Sequence, residues 1–312
     1  MKTILVVGET NVDLVLRGAM PQVGREVLAE ECVLTLGSAS AICAMGLARL
    51  GDPVVFVSRA GGDLWADYCI DALQRGGVDT SHIACDPALK SGLTVSVAAG
   101  GDRALMTYLG TIDTVTESDL PDSLLAGATH LHVSSYFLQS RLRPACGRLF
   151  ARARAQGIST SLDPGFDPRE GWDGDLHETL QSVDVFLPNE RELLAITGCA
   201  EAGAALRALE NGCTRTIVKL GSSGAMTLDG GRALHVPAFS TTPVDTTGAG
   251  DCFNAGFLHA FVRRQPLLEC LIAGNACGAL STRALGGTAA QPTLDEMTAF
   301  VRAALSAPPS IP

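Results

Sequence analysis

Short apolar runs alternate with amphipathic stretches along most of the chain. The run Ile4-Leu5-Val6-Val7 is continuously apolar and ends at Gly8, which is typical of a parallel strand buried on both faces. Residues 54–57 repeat this pattern, and the two runs are followed by helical periods over 38–50 and 64–74. This strand–helix order predicts a parallel sheet with helices on both faces.

The same order continues through the second half of the chain. It predicts strands at 130–133, 159–162, 185–187 and 216–220, a hairpin at 225–239, and helices at 144–156, 190–197, 202–211, 267–285 and 294–305. No repeat or linker-like stretch interrupts it. The sequence therefore predicts one α/β domain over residues 1–312, built as three α/β/α layers around a mostly parallel sheet.

Two segments fall outside this order and predict a second, smaller sheet. The first, at about 14–35, has no helical period and contains short β-prone stretches. In the second, at about 92–110, alternating residues flank Gly100-Gly101-Asp102, as in a β-hairpin. We expect these segments to pair with each other apart from the main sheet.

Composition narrows the classes of function. Hydrophobic residues make up 46% of the 312 positions and charged residues 18%, so a large core can form. A formal net charge of −10 without basic runs argues against nucleic acid or an anionic membrane as partner. No apolar stretch reaches membrane-spanning length. The ten cysteines lack metal-binding spacing, which favours a reduced, cytoplasmic protein without a structural metal.

Polar side chains follow three of the predicted strands: Asn11 and Asp13, then Asp163, then Asn189 with Glu192. Because ligands bind beyond the carboxyl ends of parallel strands, these residues are candidates for one shared site. A solvated turn is the alternative interpretation for Asn11 and Asp13.

The segment Asp245-Thr246-Thr247-Gly248-Ala249-Gly250-Asp251 precedes a predicted helix with an apolar stripe of Phe253, Phe257 and Phe261. Backbone N–H groups left bare by glycine, at the positive end of a helix, attract anions. Asp251 is then either a simple helix cap or a base held where an anion reacts. The segment alone leaves both interpretations open.

Several familiar motifs are absent. The chain has no P-loop, no Gly-x-Ser-x-Gly, and no Gly-x-Gly-x-x-Gly after its first strand, which disfavours a dehydrogenase. His130 and His132 alternate along one predicted strand, and we interpret them as structural or solvent-facing.

In this order the motifs resemble those of the ribokinase-like (phosphofructokinase-B type) carbohydrate kinases. The resemblance covers residues 4–300 and rests on the Asp245–Asp251 signature, Gly8…Asn11-Val12-Asp13, Asn189-Glu190-Arg191-Glu192, Lys219-Leu220-Gly221-Ser222-Ser223-Gly224, Asn275 and Gly286-Gly287. It implies a three-layer α/β/α fold whose small sheet acts as a lid. It also implies ATP-dependent phosphorylation of a hydroxyl group on a sugar or sugar-like molecule.

The resemblance further implies residue roles. Asp251 would be the base, and the N–H groups of Gly248, Ala249, Gly250 and Asp251 would form an anion hole for the γ-phosphoryl group. Substrate hydroxyls would bind at Asn11, Asp13 and Gly37. Mg²⁺ would be organised through water by Asn189 and Glu192. The nucleotide would be lined by Asn189, Lys219, Gly221, Gly224 and Asn275. The resemblance allows for K⁺ near Asp245 and Thr247, and for a homodimer formed through the lid.

One segment departs from the family pattern of Gly-Gly, small residues and Asn. Here Leu36 takes the first Gly position and Ala41 the Asn position, and Asp163-Pro164-Gly165 replaces Asp-Pro-Asn. The donor half therefore matches the family while the acceptor half is altered. A sugar phosphate is disfavoured because 36–41 contains no Lys or Arg. Two alternatives stay open: a nucleoside kinase of the same family, and a non-catalytic regulator that binds a sugar or nucleotide.

Overall fold

The structure is a computed structural model that describes residues 3–99, 102–172 and 175–306. Its strands are β1 (Thr3–Val7), β2 (Asn11–Gly18), β3 (Ala29–Leu36), β4 (Val54–Gly61), β5 (Asp79–Asp86), β6 (Gly92–Ala99), β7 (Asp102–Tyr108), β8 (Ala128–Val133), β9 (Ser159–Leu162), β10 (Val185–Phe186), β11 (Arg215–Lys219), β12 (Ala225–Asp229) and β13 (Arg232–Val236). Its helices are α1 (Ala39–Arg49), α2 (Leu64–Arg75), α3 (Asp122–Leu125), α4 (Cys146–Ala155), α5 (Leu176–Leu180), α6 (Glu190–Thr197), α7 (Ala202–Ala208), α8 (Ala249–Val262), α9 (Leu267–Ser281) and α10 (Leu294–Ser306). Short 3-10 turns lie at Glu117–Asp119, Arg143–Ala145 and Gly221–Ser223.

The larger sheet has nine strands in the order β13-β12-β11-β10-β9-β8-β1-β4-β5. Neighbouring strands are parallel from β5 to β11, and the β12–β13 hairpin adds an antiparallel edge. Strand β1 lies inside the sheet, and its side chains alternate between two cores. Ile4 and Val6 enter one core, whereas Leu5 and Val7 enter the other. This explains why the first strand is apolar at every position.

The helices divide into two groups, and each group packs into one of these cores. Side chains of α1, α2, α8 and α9 form the first core, and those of α4, α5, α6 and α7 form the second. The predicted stripe on α8 is present, since the Phe253, Phe257 and Phe261 rings follow one another at centroid distances of 6.2 and 6.1 Å. The predicted three-layer α/β/α fold is confirmed.

The smaller sheet has four strands in the order β3-β2-β6-β7. Strands β2 and β6 are parallel, and each also pairs with an antiparallel neighbour. The predicted turn at Gly100-Gly101 lies outside the described residues. Asn11 and Asp13 lie within β2 and are only 3% and 8% exposed. The interpretation of these two residues as a solvated turn is therefore wrong.

Several elements differ from the sequence-based expectation, and the short helices α3 and α5 are not predicted. Strand β5 is not predicted, because it forms the edge of the large sheet and most of its residues are partly or fully exposed. Helix α9 ends at Ser281, four residues before its predicted end at Leu285. There the carbonyl of Thr282 accepts the N–H groups of Val244 and Asp245, at 2.8 and 3.2 Å. Helix α9 thus ends where it anchors the chain segment that leads into α8.

A buried chain of hydrogen bonds joins β8 to β9. His130 Nδ1 and Nε2 contact the hydroxyls of Ser159 and Ser161 at 2.8 and 2.7 Å. His132 continues the chain from Ser161 to Ser134, at 2.7 and 2.8 Å. Both histidines are fully buried, so they are structural and the solvent-facing interpretation is wrong. Burial lowers the pKa of His130 to about 3 and that of His132 to about 4.

These two pKa values predict a specific pH dependence of stability. A histidine that stays neutral in the fold but titrates normally when unfolded stabilises the protein above its unfolded pKa, and this stabilisation is lost as pH falls. Between pH 7 and 5 the loss for His130 is about 2 kcal/mol. Urea denaturation of the wild type should therefore show a decrease about 2 kcal/mol larger than in His130→Gln, which cannot titrate.

The comparison with the variant is necessary because other buried groups act in the opposite direction. The raised pKa values of Asp251 and Glu192 make the folded state bind protons more tightly, so their contributions increase as pH falls. These contributions are common to the wild type and His130→Gln and cancel in the difference. Equal pH dependence in the two proteins would contradict the assignment of a neutral buried His130.

Candidate active site

The N-terminus of α8 has a backbone that only glycine accommodates well. Gly248, the cap residue, has φ 72°, and a Cβ added there would lie 2.8 Å from Gly287 Cα. Helical hydrogen bonding begins at Cys252, whose N–H donates to the Gly248 carbonyl at 2.9 Å, and Ala249 N–H donates to Thr246. The N–H groups of the first turn have no acceptor inside the helix. The positive end of the α8 dipole therefore lies at the backbone donors of these half-buried residues.

Asp245 holds this turn in place. Its Oδ1 accepts hydrogen bonds from the N–H and hydroxyl of Thr247, at 2.9 and 2.8 Å. Its Oδ2 accepts the N–H of Gly286 at 2.8 Å. Asp245 thus ties the loop before α8 to the Gly286-Gly287 segment, which itself packs against Gly248.

Asp251 lies in the first turn of α8 and has an unusual ionisation. Burial raises its pKa to about 8, the negative charges of Asp163, Glu9 and Glu192 raise it further, and Lys219 partly opposes them. These charges come from four separate segments that the sheet brings to one edge. A carboxyl group with a pKa near working pH is well matched to general-base catalysis.

A buried ion pair lies beneath this turn. Lys219 Nζ is 2.7 Å from Asp163 Oδ2 and also donates to Asn254 Oδ1 at 3.3 Å, while Asn254 Nδ2 donates to Asp163 Oδ2 at 2.7 Å. Burial alone would raise the pKa of Asp163, but the Lys219 ammonium and the Asn254 amide hold it below its ordinary value. Burial disfavours the ammonium form of Lys219, yet Asp163 and Glu192 keep its pKa raised. The predicted nucleotide residue Lys219 is thus engaged with Asp163, close to Gly250.

Asn189 and Glu192 form a reciprocal cap at the start of α6. Asn189 Oδ1 accepts the N–H of Glu192 at 2.9 Å, and Glu192 Oε2 accepts the N–H of Asn189 at 2.8 Å. Glu192 is 8% exposed, and burial together with the charge of Asp163 raises its pKa to about 7. A carboxyl group in this state would favour a cation nearby.

The predicted substrate residues lie together at the small sheet. Asn11 and Asp13 belong to β2, and Gly37 directly follows β3. Asn11 Nδ2 donates to Asp13 Oδ1 at 2.9 Å, and Gly37 N–H donates to the Asn11 carbonyl at 2.9 Å. A Cβ added at Gly37 would lie 2.1 Å from Asp13 Oδ1. Only glycine therefore allows the backbone to pass this carboxylate.

The altered acceptor segment begins at the end of β3 and continues into α1. Leu36 pairs with Val12 in the small sheet, and both Leu36 and Ala41 belong to the first core, so an effect of these two residues on the acceptor stays a prediction. The strained backbone position is Ser38, with φ 68°, and the apolar side chain beside Gly248 is Ile42. Sequence comparison missed this because backbone angle and side-chain direction become visible only in three dimensions.

The predicted nucleotide residues Asn275, Gly221 and Gly224 lie around the end of β13. Asn275 Nδ2 donates to the carbonyls of Val236 and Pro237, at 2.9 and 3.2 Å. A Cβ added at Gly224 would lie 2.0 Å from the Val236 carbonyl oxygen, and Gly221 begins the adjacent 3-10 turn. These contacts are structural, and nucleotide binding by these residues stays a prediction.

Glu9 is a buried acid to which the sequence assigned no role. It is 3% exposed, and its oxygens accept hydrogen bonds from Ala39 N–H at 3.1 Å, Ser40 Oγ at 2.7 Å, Ser135 Oγ at 2.7 Å and Gln139 Nε2 at 3.0 Å. It thereby joins β1 to the start of α1 and to the loop after β8. Its only sequence signal is a charge directly after a buried strand.

The change to Asp163-Pro164-Gly165 also has a structural reason. Gly165 has φ 61°, and a Cβ there would lie 2.8 Å from Ser135 Cα. Its N–H donates to Asp163 Oδ1 at 2.8 Å. Glycine therefore permits a close approach that also fixes the buried Asp163.

The structure combines a doubly wound sheet with a helix whose first N–H groups have no acceptor inside the helix. A carboxyl group with a raised pKa lies at the same edge of the sheet. This combination is typical of an α/β phosphotransferase. The chain matches the model of the pfkB family of carbohydrate kinases over residues 1–294 and belongs to that family. It is accordingly a phosphotransferase of the carbohydrate kinase type.

Relatives support the same assignment over nearly the whole chain. Aminoimidazole riboside kinase of Salmonella typhimurium is 31% identical, with 96% of this chain and 95% of that protein covered. Ribokinase of Staphylococcus aureus is 27% identical, with 94% and 98% covered. An E. coli protein provisionally assigned as ribokinase II, solved with ATP and Mg²⁺, superposes with a TM-score of 0.85 at 23% identity, covering 97% and 100% of the two chains. No helix in the described ranges has the length and apolar character needed to cross a membrane.

Proposed function

We propose that this protein transfers the γ-phosphoryl group of ATP to a hydroxyl group of a sugar or sugar-like molecule, with Asp251 as the base. The observation that carries this proposal is the position of Asp251, whose pKa is about 8, in the bare first turn of α8. Few arrangements combine a proton acceptor with backbone donors for an anion at the same helix end.

In the proposed reaction, the acceptor oxygen forms a bond to the γ-phosphorus atom and the bond from that phosphorus to the bridging oxygen of ADP breaks. Asp251 takes the hydroxyl proton as this oxygen attacks. The N–H groups of Gly248, Ala249, Gly250 and Asp251 stabilise the charge on the transferring group. For this, the Ala249 N–H first has to break its hydrogen bond to the Thr246 carbonyl. Asn11 and Asp13 orient other hydroxyls of the acceptor. Such positioning and charge stabilisation supply most of the catalysis in phosphoryl transfer.

Mg²⁺ fits the donor set beside α6. Glu192 keeps one carboxylate oxygen outside its cap contact, and its raised pKa marks a place where a cation would be favoured. The described part of the chain contains no group of three or more acidic, histidine or cysteine side chains placed for a metal. We therefore propose that Glu192 and Asn189 act through water on an ion held mainly by phosphate oxygens. ATP itself would lie along Gly221, Gly224 and Asn275. Lys219, beneath the first turn of α8, would contribute a positive charge.

Activation by K⁺ near Asp245 and Thr247 stays a prediction. Both carboxylate oxygens of Asp245 already accept hydrogen bonds, one from Thr247 and the other from Gly286, so a monovalent ion would rely mainly on backbone carbonyls there. Cytoplasmic location likewise stays a prediction from the cysteine content.

A nucleoside is the second candidate acceptor. The 31% identity to an aminoimidazole riboside kinase extends over both halves of the chain and favours it. The buried acids Glu9 and Asp163 add negative charge near Asp251, and this favours a neutral acceptor of either kind. A non-catalytic regulator is less well supported, because it would have no use for a base of raised pKa.

The test is an ADP-release assay with Mg²⁺ and ATP over sugars, keto-sugar acids, polyols and nucleosides. Acceptor-dependent ADP release by a sugar supports the main proposal, and release only with nucleosides supports the second. Calorimetric binding of a sugar or nucleotide without any ADP release would instead support the regulator.

We also propose a homodimer formed through the small sheet. Strand β7 lies at its edge and exposes three large apolar side chains, with 58% of Leu105, 77% of Met106 and 56% of Tyr108 accessible. An exposed apolar edge strand is a surface that a second copy can cover. Sedimentation velocity should show a dimer for the wild type and at least a tenfold weaker one for Met106→Glu, since a buried charge costs more than about 1.4 kcal/mol.

Leu305→Glu is the matched control for the dimer, because Leu305 is 68% exposed on α10 rather than on the small sheet. This variant should dimerise like the wild type. A wild type that sediments as a monomer at micromolar concentration, or equal dimerisation of both variants, would contradict this interface.

A further inference from the structure

The small sheet carries a row of polar side chains that crosses all four of its strands. Asp13 on β2 lies opposite Thr35 on β3 and Thr94 on β6, and Thr94 in turn lies opposite Thr107 on β7. Residues directly opposite each other on paired strands point to the same face of a sheet. These four residues, which we call the polar row, therefore share one face of the small sheet.

Hydrogen bonds connect the polar row from Asn11 to the edge of the sheet. Asn11 Nδ2 donates to Asp13 Oδ1 at 2.9 Å and to Thr94 Oγ1 at 3.3 Å. The Oγ1 atoms of Thr94 and Thr107 are 3.1 Å apart, so one of these hydroxyls donates to the other. Two hydroxyls carry two hydrogens, and this bond uses one of them. The second hydrogen is available to a ligand.

The polar row faces the start of α8. At its β3 end, Thr35 Oγ1 lies 3.4 Å from Thr288 Oγ1, and a Cβ added at Gly286 would lie 2.8 Å from Thr35 Cγ2. The next residue, Gly287, packs against Gly248, which caps α8. A molecule held by the polar row therefore lies beside the helix that carries the proposed base.

Accessibility increases along the polar row. Thr35 and Asp13 are only 6% and 8% exposed, Thr94 is half-buried, and Thr107 on the edge strand is exposed. Because neighbouring strands are about 4.8 Å apart, Thr107 lies about 10 Å from Asp13 across the sheet. The two outer threonines can therefore contact a part of a ligand that Asp13 does not reach.

We propose that Thr94 and Thr107 bind acceptor hydroxyls remote from the reacting one and thereby determine specificity. This inference rests on the proposed kinase function. It names the acceptor class as an uncharged sugar or polyol that is hydroxylated along its length. Threonine hydroxyls both donate and accept, which suits such a molecule, whereas the carboxylate of Asp13 would repel a phosphate.

The experiment is a cycle that combines a change in Thr107 with a change in the acceptor. The best acceptor of the panel is compared with each of its monodeoxy derivatives that keep the reacting hydroxyl. For one derivative, the wild type should lose about fivefold in kcat/KM, mainly through KM, because the lost contact is made equally before and during transfer. Thr107→Val should lose a similar factor with the parent acceptor and nothing further with that derivative.

Three further variants separate this contact from a general effect on the sheet. Thr107→Ser keeps the hydroxyl and should restore the wild-type ratio between parent and derivative. Tyr108→Phe removes a hydroxyl from the opposite face of β7, where the ring is 56% exposed, and should change neither kcat nor KM. Thr94→Val should cost at least as much as Thr107→Val, because it also removes an acceptor from Asn11.

The outcomes separate this inference from the proposed function. Turnover in which the effects of Thr107→Val and of every deoxy derivative simply add, or in which Tyr108→Phe matches Thr107→Val, overturns the role of the polar row and leaves the kinase function intact. The same cycle is also measured by calorimetric binding with a non-hydrolysable ATP analogue. Coupled binding without any ADP release supports the polar row and overturns the kinase function. Absence of both turnover and binding overturns both.

Discussion

Replacement of Asp251 by Asn is expected to lower kcat by about 10³-fold, because the variant cannot take the acceptor proton during transfer. The amide has nearly the same shape as the carboxyl group, so the first turn of α8 and its N–H groups should keep their geometry. Affinity for a non-hydrolysable ATP analogue should therefore change little. Single-turnover measurements with the best acceptor from the panel separate the chemical step from binding.

Asp295→Asn is the matched control for this prediction. Asp295 is also an acid in the first turn of a helix, α10, but it is exposed and has no predicted role in the site. Its replacement tests whether loss of a favourable charge at a helix start has any general effect on turnover. If Asp251→Asn kept kcat near that of Asp295→Asn, Asp251 would not be the base.

The raised pKa of Asp251 also predicts a pH dependence in the wild type. Only the carboxylate can accept a proton, so kcat/KM should rise with pH and level off above about 8. Glu192 is expected to add a second ionisation near pH 7. Asp251→Asn should lose the rise in kcat/KM near pH 8 and keep the rise near pH 7. An unchanged dependence of kcat/KM on pH would contradict the assignment to Asp251.

The central layers of the fold follow from the sequence because each local pattern agrees with its place in the sheet. Strand β1 is apolar at every position since its side chains enter two cores, and α6 has its predicted bounds, 190–197, where Asn189 and Glu192 cap its start. Strand β5 has no such pattern because most of its residues, on both faces, are partly or fully exposed. Edge strands therefore lose the signal that makes central strands predictable.

The residues of the candidate site also differ in how well the sequence predicts them. Polar residues that follow buried strands, such as Asn11, Asp163 and Asn189, can be found along the chain because parallel strands end at one edge. The partners of Glu9 and the direction of Ile42 could not be found this way. They depend on how α1 packs against α8 and β1, which involves residues far apart in sequence.

The pairing of Lys219 with Asp163 leads to the second large effect. Lys219→Met would leave the Asp163 carboxylate, only 5% exposed, without its cation. The free energy of unfolding should fall by about 3–5 kcal/mol, as for other buried pairs that lose one partner. A second variant carrying both D163N and K219M should regain much of this loss, because no isolated charge then remains buried. Urea denaturation at pH 7 measures all three proteins.

The surface pair of Arg75 and Asp71 supplies the control, since both side chains are more than 60% exposed and Arg75→Met should cost less than about 1 kcal/mol. The same series separates two roles of Lys219. If it mainly contacted nucleotide, Lys219→Met would weaken ATP binding and leave stability close to that of Arg75→Met. A large loss of stability that D163N reverses identifies Lys219 instead as the cation that keeps Asp163 ionised beneath Asp251. Lys219 also opposes the rise in the pKa of Asp251. Lys219→Met should therefore move the rise in kcat/KM that reports Asp251 to higher pH.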